Sequence, residues 1–245
     1  MSIALMDLPE LTVIHDQFLA LSHVARERFG DSAGGRLLLR EGLDADGIAV
    51  IIAASVAGAA SLCVEAEGDR LREGLRAGSV DFVVANLDEA LRILKNEIRR
   101  AQPVSVGLTG DPEAHIDAMI ERGLQPDLHS AIPQRQASLF TERGAISLAH
   151  EVAPHSEMVL VEWSVAGNPA RSMAHIAGLA SEALDGARGD TPERRRWLEH
   201  SPRYLGRAFG SKQCVRMTEP ERAEFMRRAG SEVPAAKITR HGDKP

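Results

Sequence analysis

The sequence has 245 residues, which is long enough for one large or two small domains. Hydrophobic residues make up 44% of it and charged residues 26%, which is typical of a folded globular chain and argues against a disordered one. The formal net charge of −6 argues against a protein that neutralises phosphates along a nucleic acid.

Apolar residues recur at helical and strand spacings through the first half of the chain. One stripe at three- and four-residue intervals, which includes Leu11, Ile14 and Phe18, predicts a helix over residues 9–29. Short apolar runs then alternate with helical patterns. Strands are predicted at residues 35–41, 61–67, 80–86, 104–108 and 126–132, and helices at residues 48–60, 68–78, 87–98 and 113–123.

Two of these helices carry further signals. Asn86 followed by Glu89 is typical of a capping box and marks a helix start. Leu71 and Leu75 are predicted to face inward from the helix over residues 68–78. Strands that alternate with helices at this spacing predict an α/β fold with a doubly wound, Rossmann-like parallel sheet and flanking helices. Most of the strands lack polar alternation, which indicates a sheet that is covered on both faces.

The second half of the chain has a weaker pattern. A strand is predicted at residues 158–165, and extra carboxyl-terminal helices are predicted at 169–184, from 191 and at 219–230. We therefore expect an amino-terminal helical segment over residues 1–34, a Rossmann-like domain over 35–135 and an α/β extension over 136–230. The polar tail over 231–245 is expected to be loosely held.

Other residue types exclude several kinds of site. Cys63 and Cys214 supply neither a disulfide framework nor a metal-binding spacing; Cys63 is expected to be buried and Cys214 to be the more exposed thiol. The histidines form no grouped set, so no metal site is expected. The basic cluster at residues 194–196 is interpreted as a solvated helix face. No membrane span or signal peptide is found, so a soluble cytoplasmic protein is expected.

Open parallel sheets bind ligands beyond the carboxyl ends of their strands. The loop after the first strand reads GLDADG, with Gly42 and Gly47 at its ends. Glycines in such a turn let the backbone approach a pyrophosphate, which the amino terminus of a helix favours. Asp44 and Asp46 would oppose that negative charge. The alternative interpretation is that one of these aspartates only caps the following helix.

Two further loops meet the same predicted edge. Glu65 ends the second strand about 20 residues past the turn, where a dinucleotide site places a carboxylate against the ribose diol; the alternative is an exposed acid at a strand end. Arg70 lies beside the adenosine in this interpretation, or pairs with Asp69 on the surface. Gly110 and Asp111 follow the fourth strand, and the alternative role of Asp111 is to cap a helix.

Taken together, these segments resemble the NAD-binding domain of urocanase (urocanate hydratase). The similarity runs from about Gln17 to Leu128 and is carried by DQFLALSHVARERFGDSAGGRLLLREGL, by ASLCVEAEGDRLREGLRAGSVDFVVANLDEALRILKNEIRRAQPVSVGLTGD and by MIERGLQPDL. In that family NAD is held tightly and acts as an electrophile while water adds to urocanate, a step of histidine catabolism. The resemblance implies a lyase with no net hydride transfer.

The resemblance also implies a cofactor site. Glu65 and Arg70 match the nucleotide-contacting Glu and Arg of the family, and Gly47 matches the last glycine of its turn. With Gly42, Gly110 and Asp111 they form the expected NAD-binding set. No catalytic residue is assigned.

The sequence departs from the family at several motifs. The family's GLGGMGGAQP reads GLDADGIAVI here, its GNA reads Gly110-Asp111-Pro112, and its DQTSAHDP reads AIPQRQAS. The family's amino-terminal Tyr-Gly-Gly contact and the region with its catalytic cysteine have no recognisable counterpart in these residues, and Cys214 stands in a different context.

Three functions are therefore compared. The first is a urocanase-like hydro-lyase homologue that binds NAD or a related nucleotide, together with an imidazole-type substrate. The second is a non-catalytic Rossmann-like binding or assembly module that has lost NAD and urocanate chemistry, and that forms a homodimer through its terminal helices. The third, an NAD-dependent dehydrogenase, ranks last because no acid–base pair for hydride transfer is recognised.

Overall fold

A computed structural model of the chain describes residues 8–30, 32–148, 157–165, 169–205, 209–210, 212–232 and 236–240. The chain forms two compact units, Met1–Val152 and Ala153–Pro245. Beyond residue 135, the expected end of the Rossmann-like domain, the first unit includes one further helix and one further strand. No helix in the described part of the chain is both long and apolar enough to span a bilayer.

The first unit is an α/β domain whose helices and strands alternate along the chain. Its elements are α1 (Leu11–Phe29), β1 (Leu37–Glu41), α2 (Ala45–Ala57), β2 (Ala60–Glu65), α3 (Gly68–Ala77), β3 (Phe82–Val84), α4 (Leu87–Arg99), β4 (Ser105–Thr109), α5 (Pro112–Glu121), β5 (Leu128–Ser130), α6 (Gln134–Glu142) and β6 (Ile146–Ser147). The six strands are parallel and lie in the order β3-β4-β2-β1-β5-β6. The predicted doubly wound parallel sheet is confirmed.

Burial follows the apolar patterns of the sequence. Strand β2 is buried at every residue, and α2 is buried from Gly47 to Ala57, because α2 lies between the sheet and α1. The opposite face of the sheet packs under α4, α5 and α6, around Leu39, Leu62 and Leu108. The side-chain oxygen of Asn86 accepts a bond from the N–H of Glu89 at 2.9 Å, so the predicted start of α4 is confirmed.

Two details of the first unit differ from the expectations. Leu75 is 39% exposed, although the helical pattern predicted that it faces inward with Leu71. Helix α6 and strand β6 were not predicted. Only Gln136 and Phe140 of α6 are buried, and such a short helix gives little periodic signal.

The second unit contains β7 (Val159–Val165), α7 (Pro169–Ala183), α8 (Thr191–Leu205), β8 (Lys212–Met217), α9 (Glu219–Glu232) and β9 (Ala236–Arg240). Its strands form an antiparallel sheet in the order β8-β7-β9. Within the tail that was expected to be loosely held, α9 continues to Glu232 and β9 pairs with β7, whereas residues 233–235 and 241–245 lie outside the described residues. Trp163 on β7 packs against Phe225 on α9, with ring centroids 5.4 Å apart.

Arg194 corrects the interpretation of residues 194–196 as a solvated face. Arg195 is exposed, but the Arg194 side chain is completely buried. Its two terminal nitrogens donate to the Glu221 carboxylate at 2.8 and 3.0 Å, and one of them also donates to Asp190 at 3.1 Å. A planar guanidinium matches a carboxylate in this bidentate way, and the pair ties the start of α8 to the start of α9.

The ionisation of Glu221 depends on this pair. Burial opposes the charged form, but hydrogen bonds from Arg194 and from the backbone N–H groups of Thr218 and Asp185 outweigh burial and lower the pKa of Glu221 below its ordinary value of 4.5. A lowered folded-state pKa gives a stabilisation that is complete above about pH 4.5. That stabilisation is lost as the pH falls through the folded-state pKa.

The first prediction concerns this ion pair. Arg194→Ala leaves the Glu221 carboxylate buried without its charge partner, so the free energy of unfolding of the second unit should fall by about 3–5 kcal/mol. Arg195→Ala, at the exposed neighbour, should change it by less than about 0.5 kcal/mol. Urea unfolding at pH 7 followed by tryptophan fluorescence measures both, because both tryptophans, Trp163 and Trp197, lie in this unit. Equal stability of the two variants would contradict the stabilising role of the Arg194–Glu221 pair.

Candidate functional site

The strand order defines where a ligand would bind in the first unit. From β1 the chain continues to β2, its neighbour on one side in the sheet, whereas from β5 it continues to β6, which lies on the opposite side. The loops that follow β1 and β5 therefore lead in opposite directions. In open α/β sheets the crevice at such a switch point, beyond the carboxyl ends of the strands, is the usual ligand site. Here the crevice lies beyond Glu41 of β1 and Ser130 of β5.

The turn after β1 is compact and depends on its two glycines. Gly42 has φ +81°, a left-handed conformation that favours glycine, and its N–H donates to the carbonyl of Val64 at 2.9 Å. A Cβ on Gly47 would lie 2.4 Å from the carbonyl oxygen of Gly42. The two glycines of the predicted loop are therefore brought together, and the start of α2 packs directly on the turn.

Asp44 caps α2, as the alternative interpretation of this loop expected. One oxygen of its carboxylate accepts two bonds, from the N–H of Gly47 at 2.7 Å and from the Arg40 guanidinium at 2.9 Å. Partial burial opposes ionisation of Asp44, but these two bonds outweigh it and hold the pKa of Asp44 below its usual value. The cap therefore carries a full negative charge at neutral pH.

Arg40 is a site residue that the sequence analysis missed. It lies on β1 beside its register partner Ser130 of β5, and its side chain is only 6% exposed. The guanidinium donates to the carbonyl of Gly42 at 3.3 Å, to the Ser130 hydroxyl at 3.1 Å and to Asp44. The sequence feature that could have identified it is a basic residue near the end of the otherwise apolar strand LLLRE. Its side chain spans the crevice at the switch point.

Glu65 lies where the sequence places it, at the end of β2, but it is 5% exposed. One carboxylate oxygen accepts a bond from the N–H of Leu43 and the other accepts a bond from the N–H of Glu67, both at 2.8 Å. The structure thus differs from the alternative of an exposed strand-end acid. The carboxylate ties the loop after β1 to the loop after β2.

The other expected cofactor residues lie around this centre. The N–H of Gly110 donates to the carbonyl of Glu65 at 3.1 Å, which places the loop after β4 beside β2. Asp111 caps α5 by accepting a bond from the N–H of Glu113 at 3.1 Å. Arg70 lies on the surface of α3 and pairs with Glu67 at 3.3 Å. Its expected surface partner, Asp69, instead pairs with Arg72.

This edge of the sheet is acidic. Burial is the main reason why the pKa of Glu41 is raised, and the negative charges of Glu65, Asp111 and Glu113 raise it further. One carboxylate about 4 Å from a phosphate costs about 1 kcal/mol in bulk water and several times more in a partly buried site. The electrostatic environment therefore opposes a pyrophosphate here.

Neither cysteine is an accessible nucleophile in the described structure. Burial, followed by the charge of Glu65, raises the pKa of Cys63 to about 12. Cys214 is also completely buried, which corrects the expectation that it is the more exposed thiol.

The parallel sheet, the glycine turn and the carboxylate at the end of β2 define a Rossmann-like domain of the dinucleotide-binding type. The family model of the urocanase Rossmann-like domain matches residues 12–139, which is more than half of the chain. The chain therefore belongs to the urocanase family. The resemblance drawn from the sequence is confirmed, and the NAD association of this family is the reason to ask whether the cofactor fits.

Several groups that the resemblance assigns to NAD already have partners within the chain. Arg40 and Asp44 occupy the turn that would face the pyrophosphate, and both oxygens of Glu65 already accept backbone bonds. The binding roles of Gly42, Gly47, Glu65, Arg70, Gly110 and Asp111 remain predictions.

The second prediction separates the two roles of Glu65. Glu65→Ala leaves the N–H groups of Leu43 and Glu67 without their acceptor, so the free energy of unfolding of the first unit should fall by about 1–3 kcal/mol per N–H that remains buried. Glu65→Gln keeps one acceptor oxygen and should lose about half as much. Thermal unfolding followed by circular dichroism measures both. Unchanged stability of Glu65→Ala would contradict the role of this carboxylate in joining the two loops.

Proposed function

We propose that this urocanase-family protein uses its Rossmann-like domain as a non-catalytic binding or assembly module, and that the dinucleotide crevice is closed by its own side chains. The observation that carries the proposal is the Arg40–Asp44 pair. Asp44 caps α2 and neutralises Arg40 with the same carboxylate oxygen, at 2.7 Å from the N–H of Gly47 and 2.9 Å from the guanidinium.

The chemistry of this pair resembles that of a bound anion. A phosphate at the amino terminus of a helix accepts bonds from backbone N–H groups and pairs with an arginine. Asp44 does both from within the chain. A dinucleotide would have to displace this carboxylate, and its phosphates would also be repelled by Asp46 and Glu41. Both effects weaken dinucleotide binding.

The third prediction tests the closed crevice. Asp44→Ser keeps a capping oxygen but removes the charge that neutralises Arg40. The stability should fall by about 1 kcal/mol, since the Asp44 side chain is 58% exposed and an exposed pair contributes little. Binding of ADP and NAD at millimolar concentration, which is not expected in the wild type, should become measurable in Asp44→Ser, because one repulsive charge is removed and one cation is released. Isothermal titration at low salt measures the affinity.

The matched control is Asp46→Ser in the same turn. It removes the same charge, but no bond joins Asp46 to Arg40 among the described residues, so the affinity should rise less than in Asp44→Ser. The wild-type protein should give no heat at millimolar NAD and should carry no NAD after purification, as measured by mass spectrometry of the denatured protein. NAD that copurifies with the wild type would overturn the proposal.

The second candidate is an NAD-dependent hydro-lyase homologue of histidine catabolism. Family membership favours it, as does the position of Glu65 at the end of β2. The two candidates differ in one activity. Loss of the ultraviolet absorbance of urocanate on incubation with the purified protein would support the lyase and exclude the non-catalytic module.

The proposed assembly role requires a surface through which the chain can associate with a partner. Leu75 on α3 and Phe82 on the edge strand β3 are exposed large apolar side chains, at 39% and 48%. An edge strand with unpaired backbone groups and an apolar side chain is suited to pairing with a second copy of the chain. We therefore expect a homodimer that uses this edge, in place of the terminal helices expected from the sequence.

The fourth prediction follows from that edge. Light scattering should give a mass of about twice 26.5 kDa for the wild type. Phe82→Ser should shift the protein towards the monomer, whereas Met226→Ser, at an exposed methionine of the second unit, should not. A monomeric wild type would exclude the dimer and leave the closed crevice unaffected.

A further inference from the structure

The second unit contains a cavity that belongs to none of the expected sites. It has a volume of about 490 Å³ and is lined by the three-stranded sheet and by α9. This volume is in the range of small-molecule pockets. Four cationic side chains line it, Lys212, Arg222, Lys237 and Arg240, against the single carboxylate of Glu162.

The strand register places two of these cations on either side of a hydroxyl. Ser164 on β7 is the direct partner of Lys212 on β8 and of Lys237 on β9. Direct partners in antiparallel strands share a face, with Cβ atoms about 5 Å apart. Lys212 and Lys237 therefore extend from the same face of the sheet on either side of Ser164. In the described part of the chain no carboxylate lies within ion-pair distance of either lysine.

The two arginines are compensated in a different way. Glu219 accepts from Arg222 at 2.7 Å and lies 3.6 Å from Arg240. This single carboxylate of the chain compensates one of the two arginine charges, whereas neither lysine has a carboxylate partner among the described residues. Trp163 also contributes to the lining, but it faces the other side of β7 from Ser164 and packs against Phe225, so it takes no part in the row of Lys212, Ser164 and Lys237.

The charge of the whole chain is unevenly divided between the two units. Residues 1–152 contain 23 acidic and 14 basic residues, a net charge of −9, whereas residues 153–245 contain 12 acidic and 15 basic residues, a net charge of +3. A positive excess around a lined cavity attracts anions from solution.

We propose that this cavity binds a small molecule that carries a phosphate group, held by Lys212, Ser164 and Lys237. A phosphate monoester offers three acceptor oxygens and a charge of about −1.5 to −2 at neutral pH. That matches two ammonium groups and one hydroxyl, whereas a single carboxylate supplies half the charge and two oxygens, and a dicarboxylate such as succinate divides its charge between two separated groups. The proposal concerns the second unit alone and is independent of the closed crevice in the first.

The fifth prediction tests the cavity by isothermal titration of the full chain with inorganic phosphate, glycerol 3-phosphate and succinate at low salt. Both phosphates should bind, and succinate should bind at least about tenfold more weakly. The double variant Lys212→Gln/Lys237→Gln should bind the phosphates at least about tenfold more weakly than the wild type, because each lysine supplies a charge-assisted hydrogen bond.

The matched control is Arg92→Gln/Lys95→Gln on the exposed side of α4, which removes the same charge from the first unit. It should bind the phosphates as the wild type does. The proposal is overturned by a wild type that does not bind either phosphate, by lysine variants that bind equally well, or by a preference for succinate. Circular dichroism of the double variant checks that these exposed lysines are not needed for folding.

Discussion

Arg40 brings a full positive charge into the crevice between β1 and β5, and much of the surrounding structure serves to bond and neutralise it. The turn carbonyl of Gly42, the hydroxyl of Ser130 and the carboxylate of Asp44 each accept a bond from its guanidinium. Desolvating such a group is costly unless it is paired and hydrogen-bonded. The compact turn, the cap of α2 and the contact between β1 and β5 therefore belong to one arrangement.

Glu65 is the second part of that arrangement. Its carboxylate bonds the loop after β1 to the loop after β2, and its carbonyl accepts the N–H of Gly110 from the loop after β4. Three loops that form a ligand site in an open α/β sheet are thus joined through one residue. In this chain the carboxylate that a dinucleotide site places against a ribose also supports the scaffold, so family membership does not by itself establish that the cofactor is bound.

The fold of the first unit could be predicted because its signals are local. Periodic apolar runs defined the strands and helices, and Asn86 marked a helix start through its own capping bond. The direction of a buried polar side chain could not be predicted, because its partners are distant in sequence. Glu65 bonds Leu43, which is 22 residues away, and Arg194 bonds Glu221, which is 27 residues away. The strands β8 and β9 were missed since their burial depends on β7 and on the helices around it.

The bond between Arg40 and Asp44 also restricts how the protein can change over evolutionary time. Loss of Asp44 alone leaves a poorly compensated charge in the crevice, and loss of Arg40 alone leaves the acidic edge without its nearest cation. Substitutions at two positions in such direct contact are not additive. The two residues should therefore be retained or replaced together, and a return to an open glycine turn requires the arginine of β1 to change, or to acquire a new anion, at the same step.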